Sequence, residues 1–179
     1  MKVTLPKDFV VRSRRIKWVF TDVDGTLTDG QVSYSPDGEV LKAFSLRDGT
    51  GFFLLRACGI KVGIVTGEDS PIVKQRVDKL KVDKLFLGIQ NKLETFCKWA
   101  TEEDLSMDEI AYIGDDLNDF KLMRSCGLSF AVADASDPVK EVADVVLLRK
   151  GGEGAFREMA NLIVEARGTS QNEIAEKFL

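Results

Sequence analysis

Asp22 and Asp24 stand two residues apart behind the apolar run Trp18-Val19-Phe20-Thr21, and Gly25 and Thr26 follow them directly. A second apolar run, residues 110–113, ends in the same manner in Gly114-Asp115-Asp116-Leu117-Asn118-Asp119. A third, residues 62–65, delivers Thr66-Gly67-Glu68. Acids gathered at one edge repel: at about 4 Å and an effective dielectric near 20, a pair costs roughly 4 kcal/mol. A cation or a proton must offset that. An all-oxygen donor set suits Mg²⁺, which keeps several waters and favours sites shared with a phosphate. Phosphoryl transfer depends mainly on positioning and on neutralising the equatorial oxygens. A carboxylate can itself be the nucleophile once a metal and an ammonium screen it. Lys92, in Gly88-Ile89-Gln90-Asn91-Lys92, is the candidate ammonium.

The rest of the composition removes competing chemistries. The 179 residues include no histidine, which excludes Ser-His-Asp and Cys-His nucleophile pairs, a phosphohistidine and any zinc site built with His. Cys58, Cys97 and Cys126 are odd in number and lack CxxC spacing, so they read as packing thiols in a reduced, cytoplasmic setting. None of them is followed six residues later by Arg, as a cysteine phosphatase loop would require. With 25 basic against 29 acidic residues and no basic stripe, nucleic acid is not the expected partner. The apolar runs are far below the ~20 residues that span a bilayer, so no membrane association is expected. A calcium loop beginning at Asp22 would need Gly and Glu where Leu27 and Ser33 stand.

These residues must be carried by elements that bring them to one edge. Short apolar runs at 18–21, 62–66, 85–87, 110–113, 129–132 and 145–148 read as strands, with amphipathic segments between most of them. Ser70-Pro71 supplies an N-cap and an N1 proline, and Ser136-Asp137-Pro138 opens a shorter helix similarly. Gly59 and Gly127 stand where left-handed helix stops are expected. Alternation of this kind implies βαβ units, hence a three-layer, doubly wound, Rossmann-like α/β domain with a mostly parallel sheet. In such a sheet, ligands bind outside the carboxyl ends of the strands. Residues 31–45 break the rhythm: Val32, Tyr34, Val40 and Phe44 surround Pro36-Asp37-Gly38, which predicts a small β-hairpin flap. The expected organisation is an N-terminal extension over 1–15, the phosphatase-like domain over 16–168 and a tail over 169–179. Both ends are expected to be loose.

In order along the chain, Asp22-Val23-Asp24-Gly25-Thr26, Thr66, Lys92 and Gly114-Asp115-Asp116-Leu117-Asn118-Asp119 resemble the four motifs of the haloacid dehalogenase superfamily of phosphotransferases. The resemblance implies Asp22 as nucleophile and Asp24 as general acid/base, its backbone carbonyl on Mg²⁺. It also implies Asp115 as the other carboxylate on the metal, Thr66 and Lys92 on the phosphoryl oxygens, and Asp119, with Gly114 and Gly67, in support. No segment is long enough for the large cap that most members carry. An open crevice fits either a macromolecular substrate or a lid from a neighbouring subunit.

A narrower resemblance, to the capless phosphatases of 3-deoxy-2-keto sugar acid phosphates, rests on four stretches. They are Phe44-Ser45-Leu46-Arg47-Asp48-Gly49-Thr50-Gly51, Ile64-Val65-Thr66-Gly67-Glu68, Gly114–Asp119 and Gly151-Gly152-Glu153-Gly154-Ala155-Phe156-Arg157-Glu158. It implies a small-molecule sugar acid phosphate substrate of eight carbons (octulosonate 8-phosphate) or nine (KDN or N-acylneuraminate 9-phosphate), and a homotetramer with associated flaps. Eight-carbon members usually carry a basic residue after the Thr-Gly pair; Glu68 here is closer to the nine-carbon members, with Arg76 and Lys79 following. Glu68 could accept hydrogen bonds from sugar hydroxyls, and Arg76 or Lys79 could receive the substrate carboxylate. Two other functions stay open at this level: a phosphoprotein phosphatase with an open site, and a non-catalytic scaffold associated with a sugar nucleotidyltransferase.

Overall fold

A computed structural model describes residues 2–178. Six parallel strands form the main sheet: β1 (Trp18–Thr21), β4 (Lys61–Val65), β5 (Lys84–Phe86), β6 (Ile110–Gly114), β7 (Leu128–Ala131) and β8 (Val145–Val146). Their spatial order is β5-β4-β1-β6-β7-β8. Every residue of β1, β6 and β7 is buried. Because successive side chains of a strand point to opposite faces, the sheet is covered on both sides, as the doubly wound arrangement requires. The chain winds outward from β1 to β5 on one side and from β6 to β8 on the other. That reversal opens the crevice at the carboxyl ends of β1 and β6.

On one face of the sheet Trp18, Phe20, Phe86, Phe96 and Trp99 form an aromatic cluster, Trp18 stacked on Phe20 and both edge-on to Trp99, with Phe20 and Phe96 centroids 4.6 Å apart. Phe96 and Trp99 belong to α4 (Lys92–Glu102), so this cluster fixes the helix whose first residue is Lys92. Elsewhere Phe52 of α2 (Leu46–Ala57) stacks on Phe156 of α7 (Ala155–Ala166) at 4.2 Å. The expected N-cap is in place: Ser70 Oγ accepts from the Val73 amide at the start of α3 (Pro71–Leu80). Helix α6 (Asp137–Val142) likewise begins after Ser136, although no side-chain cap bond forms there.

The flap forms as β2 (Ser33–Ser35) and β3 (Gly38–Leu41), antiparallel around the expected turn, with an irregularity between Ser33 and Tyr34. Tyr34, Val40 and Leu41 are well exposed.

Two expectations are corrected. Gly59 is left-handed, with φ of 74°, but Gly127 is not; a Cβ there would meet the Asp108 carbonyl oxygen at 2.1 Å, so close backbone approach is what requires glycine. The ends are also built into the fold. Residues Phe9–Arg15 form α1, which buries Phe9, and Arg12 grips Asp144 with two bonds of 2.7 and 2.6 Å and the Gly127 carbonyl at 2.8 Å. Arg167 donates to the Ser13 and Ile16 carbonyls. At the other end α8 (Gln171–Phe178) buries Ile174 and receives Arg157 on Gln171. Bidentate, partly buried pairs of this kind are among the stronger ones. Arg12→Ala is accordingly expected to cost about 1–2 kcal/mol and to lower the melting temperature by about 2–6 °C, readable by calorimetry.

Candidate active site

Buried hydrophobic strands deliver the acids. Asp22 directly follows β1, its amide donating to the Ile113 carbonyl at 3.0 Å, so β1 and β6 end level. Lys92 opens α4 behind the N-cap Asn91 and reaches inward, fully buried. Its three N–H groups are all engaged: with Asp22 Oδ1 at 2.5 Å, Asp119 Oδ1 at 2.6 Å and the Tyr112 hydroxyl at 3.1 Å. Tyr112 in turn donates to Asp119 Oδ1 at 2.6 Å, and Asp119 Oδ2 accepts from the amides of Asp115 and Asp116. Both Asp119 oxygens are thus spoken for, which makes it a brace for Lys92 and for the loop after β6.

Asp115 faces Asp22 across the crevice and accepts from Thr26 Oγ1 at 3.2 Å. Gly25 lies between them with φ of 89°, and a Cβ on it would sit 2.1 Å from Asp115 Oδ2. Only glycine allows this approach. Gly114 serves Asp119 comparably, since a Cβ there would fall 2.3 Å from its Oδ2.

The electrostatics follow from burial and crowding. Burial, with the Asp119 charge, pushes the Asp22 carboxyl up to about 7 against the pull of Lys92. Burial, then Asp22 and Asp119, push Asp115 up to about 8. Burial alone would lower the Lys92 ammonium, but Asp22 and Asp119 outweigh it and hold the pKa above the usual value. The Tyr112 hydroxyl, buried and beside Asp119, is held well above its ordinary range and stays a donor. Three carboxyl groups around one ammonium make a donor set short of positive charge. Asp22, Asp115 and Asp119 each offer an oxygen within 4.8 Å of the others, and hard oxygen donors at this spacing fit a divalent cation.

The other expected residues fall around this centre. Thr66, buried at the end of β4, accepts the Glu68 amide on its hydroxyl oxygen at 3.2 Å and keeps its proton to donate. The Gly67 carbonyl accepts from Gln90 Nε2 at 3.4 Å, tying this loop to the one before Lys92. Asp24 accepts from Lys42 Nζ at 2.7 Å, whereas Lys92 serves Asp22. Glu68 lies exposed in the turn before α3, whose first residue is Pro71, so Glu68, Arg76 and Lys79 do not share one helical face. Arg76 is half-buried, donating to the Ser45 carbonyl at 3.0 Å beside the Phe44 ring; Lys79 is exposed in the last turn. A groove of about 590 Å³ opens beside Lys92 between Leu93, Leu117, Phe120 and Pro138.

Sequence reasoning missed Lys42 and Tyr112. Tyr112 had a signal, a hydroxyl in the middle of an otherwise aliphatic buried strand. Lys42 had only its spacing of three from Glu39.

Residues 88–158 match the haloacid dehalogenase-like hydrolase family. The chain is 46 % identical over 156 residues to 3-deoxy-D-manno-octulosonate 8-phosphate phosphatase KdsC of Haemophilus influenzae, covering 87 % of this chain and 86 % of that protein. It is 38 % identical over 161 residues to KdsC of Escherichia coli K12, covering 90 % and 86 %. Among solved structures, the cobalt-bound H. influenzae enzyme superposes with a TM-score of 0.84 at 43 % identity, over 88 % of this chain and 92 % of that one. The Moraxella catarrhalis 3-deoxy-D-manno-octulosonate 8-phosphate phosphatase, in complex with magnesium, phosphate and KDO, gives 0.87 at 33 % identity, over 96 % and 98 %. The four motifs, the parallel sheet that presents them and likeness of this extent agree: the chain belongs to the haloacid dehalogenase superfamily, as a phosphatase of its capless, KdsC-like branch.

Proposed function

We propose that the protein removes phosphate from a 3-deoxy-2-keto sugar acid phosphate through an aspartyl-phosphate on Asp22, with Mg²⁺, in the cytoplasm. The observation that carries this reading is the Asp22 carboxylate, with one oxygen held by Lys92 and the crevice before it bordered by Asp115. Asp22 bonds to phosphorus as the ester oxygen leaves, and Asp24 gives that oxygen its proton. Asp24 then takes a proton from the water that attacks the aspartyl-phosphate, releasing phosphate and restoring Asp22. Thr66 donates to the phosphoryl oxygens, as does Lys92 when the N–H now on Asp22 Oδ1 turns to them. Asp22, Asp115 and the Asp24 backbone carbonyl would hold Mg²⁺, which when bound supplies the positive charge that two anions need to approach.

Octulosonate 8-phosphate is the first substrate to test, because it is the one named for the relatives of highest identity reported above. Glu68 favours a second reading, a nine-carbon ulosonate 9-phosphate, with Arg76 or Lys79 receiving the substrate carboxylate. Phosphate release from eight- and nine-carbon ulosonate phosphates, beside hexose phosphates and a phosphopeptide, decides. Preference for a hexose phosphate or the phosphopeptide would overturn the sugar acid assignment. The exposed Tyr34, Val40, Leu41 and Leu46 on and beside the flap support self-association as a homotetramer, which light scattering would weigh directly.

The raised carboxylates give a further expectation. Between the ordinary 3.8 and about 8, the metal-free native state binds more protons than the unfolded chain. Its stability therefore falls as pH rises through that window. Mg²⁺ takes the place of those protons, so the rise in melting temperature on adding Mg²⁺ should be larger at pH 8 than at pH 6. An equal rise at both pH values would contradict metal binding at Asp22 and Asp115.

A further inference from the structure

Lys42 follows β3 at the root of the flap, and its side chain is wholly enclosed. Its ammonium bonds Asp24 Oδ1 at 2.7 Å and Glu39 Oε1 at 3.1 Å. Glu39 Oε2 is in turn bonded by the Ser70 hydroxyl, and Ser70 caps α3. A buried lysine in an otherwise exposed hairpin sacrifices hydration, which only close anionic partners offset. Asp24 has its other oxygen, Oδ2, buried and without a hydrogen-bond partner. One oxygen of Asp24 is clamped and the other is left without a partner.

We propose that Lys42 is a positioning residue that fixes the Asp24 carboxyl so that Oδ2 points at the departing ester oxygen, making the flap root part of the acid catalyst's support. The proposal rests on the reading of Asp24 as general acid. In that step the proton on Oδ2 passes to the ester oxygen while the P–O ester bond breaks and the Asp22–phosphorus bond forms. Lys42 touches neither substrate nor phosphorus. It acts through the orientation of Asp24, where a misplacement of about 1 Å is worth on the order of 10²-fold. The chain Asp24–Lys42–Glu39–Ser70 also ties the acid and the flap root to the capped end of α3.

The test compares a substrate whose alcohol must be protonated to leave, octulosonate 8-phosphate, with p-nitrophenyl phosphate, whose phenolate leaves without a proton. The readout is kcat/KM, which covers only the steps up to departure of the alcohol. For Lys42→Met, kcat/KM should fall about 100-fold on the sugar ester and only about fivefold on the aryl ester. Asp24→Asn is the reference and should give a split in the same direction, larger on the sugar ester. If Lys42→Met lowers both substrates equally, or neither, while Asp24→Asn gives the split, the role of Lys42 is overturned and the acid assignment stands. If Asp24→Asn gives no split, the acid assignment falls and this proposal falls with it. Where Lys42→Met does not fold, judged by circular dichroism, Lys42→Gln carries the same comparison.

Discussion

Asp22→Asn is expected to lower kcat by a factor on the order of 10⁴ or more while leaving the fold in place. The amide has nearly the shape of the carboxylate, and its carbonyl can still accept from Lys92 Nζ, which now lies 2.5 Å from Oδ1. What disappears is the nucleophile, since an amide nitrogen or oxygen at this position forms no stable bond to phosphorus that water can later cleave. Stability should change little, because two effects oppose. The Lys92 ion pair weakens, but the variant no longer buries a charge at a position where burial, with the Asp119 charge, pushes Asp22 up to about 7, and it removes one of the charges that help burial push Asp115 up to about 8. Phosphate release by the variant and a fluoroberyllate adduct on the unaltered protein, read by fluorine NMR, together check the assignment. Steady turnover by Asp22→Asn, or an adduct that survives the substitution, would reject Asp22 as nucleophile.

Lys92→Met should be costly in both activity and stability. The ammonium is the buried shared partner of Asp22, Asp119 and Tyr112. Its removal leaves two buried carboxylates facing each other, and breaking a buried pair in this way costs about 3–5 kcal/mol. Activity should fall about 10²–10³-fold, the usual loss when one preorganised donor to a developing oxyanion is removed. The stability loss carries a pH signature. Without the ammonium the raised Asp22 and Asp115 pKa values rise further, so protonation restores part of the stability as pH falls from 8 toward 5. Urea melts at two pH values measure this. A variant as stable as the unaltered protein at pH 8 would contradict the shared-partner arrangement.

Much of the site could be read from the sequence because its logic is local. A run of buried apolar residues that stops abruptly at acids marks a strand's carboxyl end, and two such runs, at Asp22 and at Gly114–Asp119, point to a common edge. Ser70-Pro71 fixed a helix start through a cap that needs only its near neighbours. What stayed illegible depends on distant pairing. Arg12 is 132 residues from Asp144, so nothing in the short pattern of residues 9–15 reveals that α1 is anchored. Lys42 sits in a hairpin where a charged residue ordinarily faces water, and only the fold brings Asp24 against it. Glycine requirements divide the same way: Gly59 answers to its own backbone angle, whereas Gly127 answers to a carbonyl from another part of the chain.

The anchored amino-terminal helix has a practical corollary. Helix α1 leads straight into the start of β1, whereas Asp22 lies just past that strand's far end. A four-residue strand rises about 13 Å, so the junction of α1 with the sheet lies at the rim opposite the phosphate chemistry. Substitutions at that junction are thereby set apart from the reacting groups.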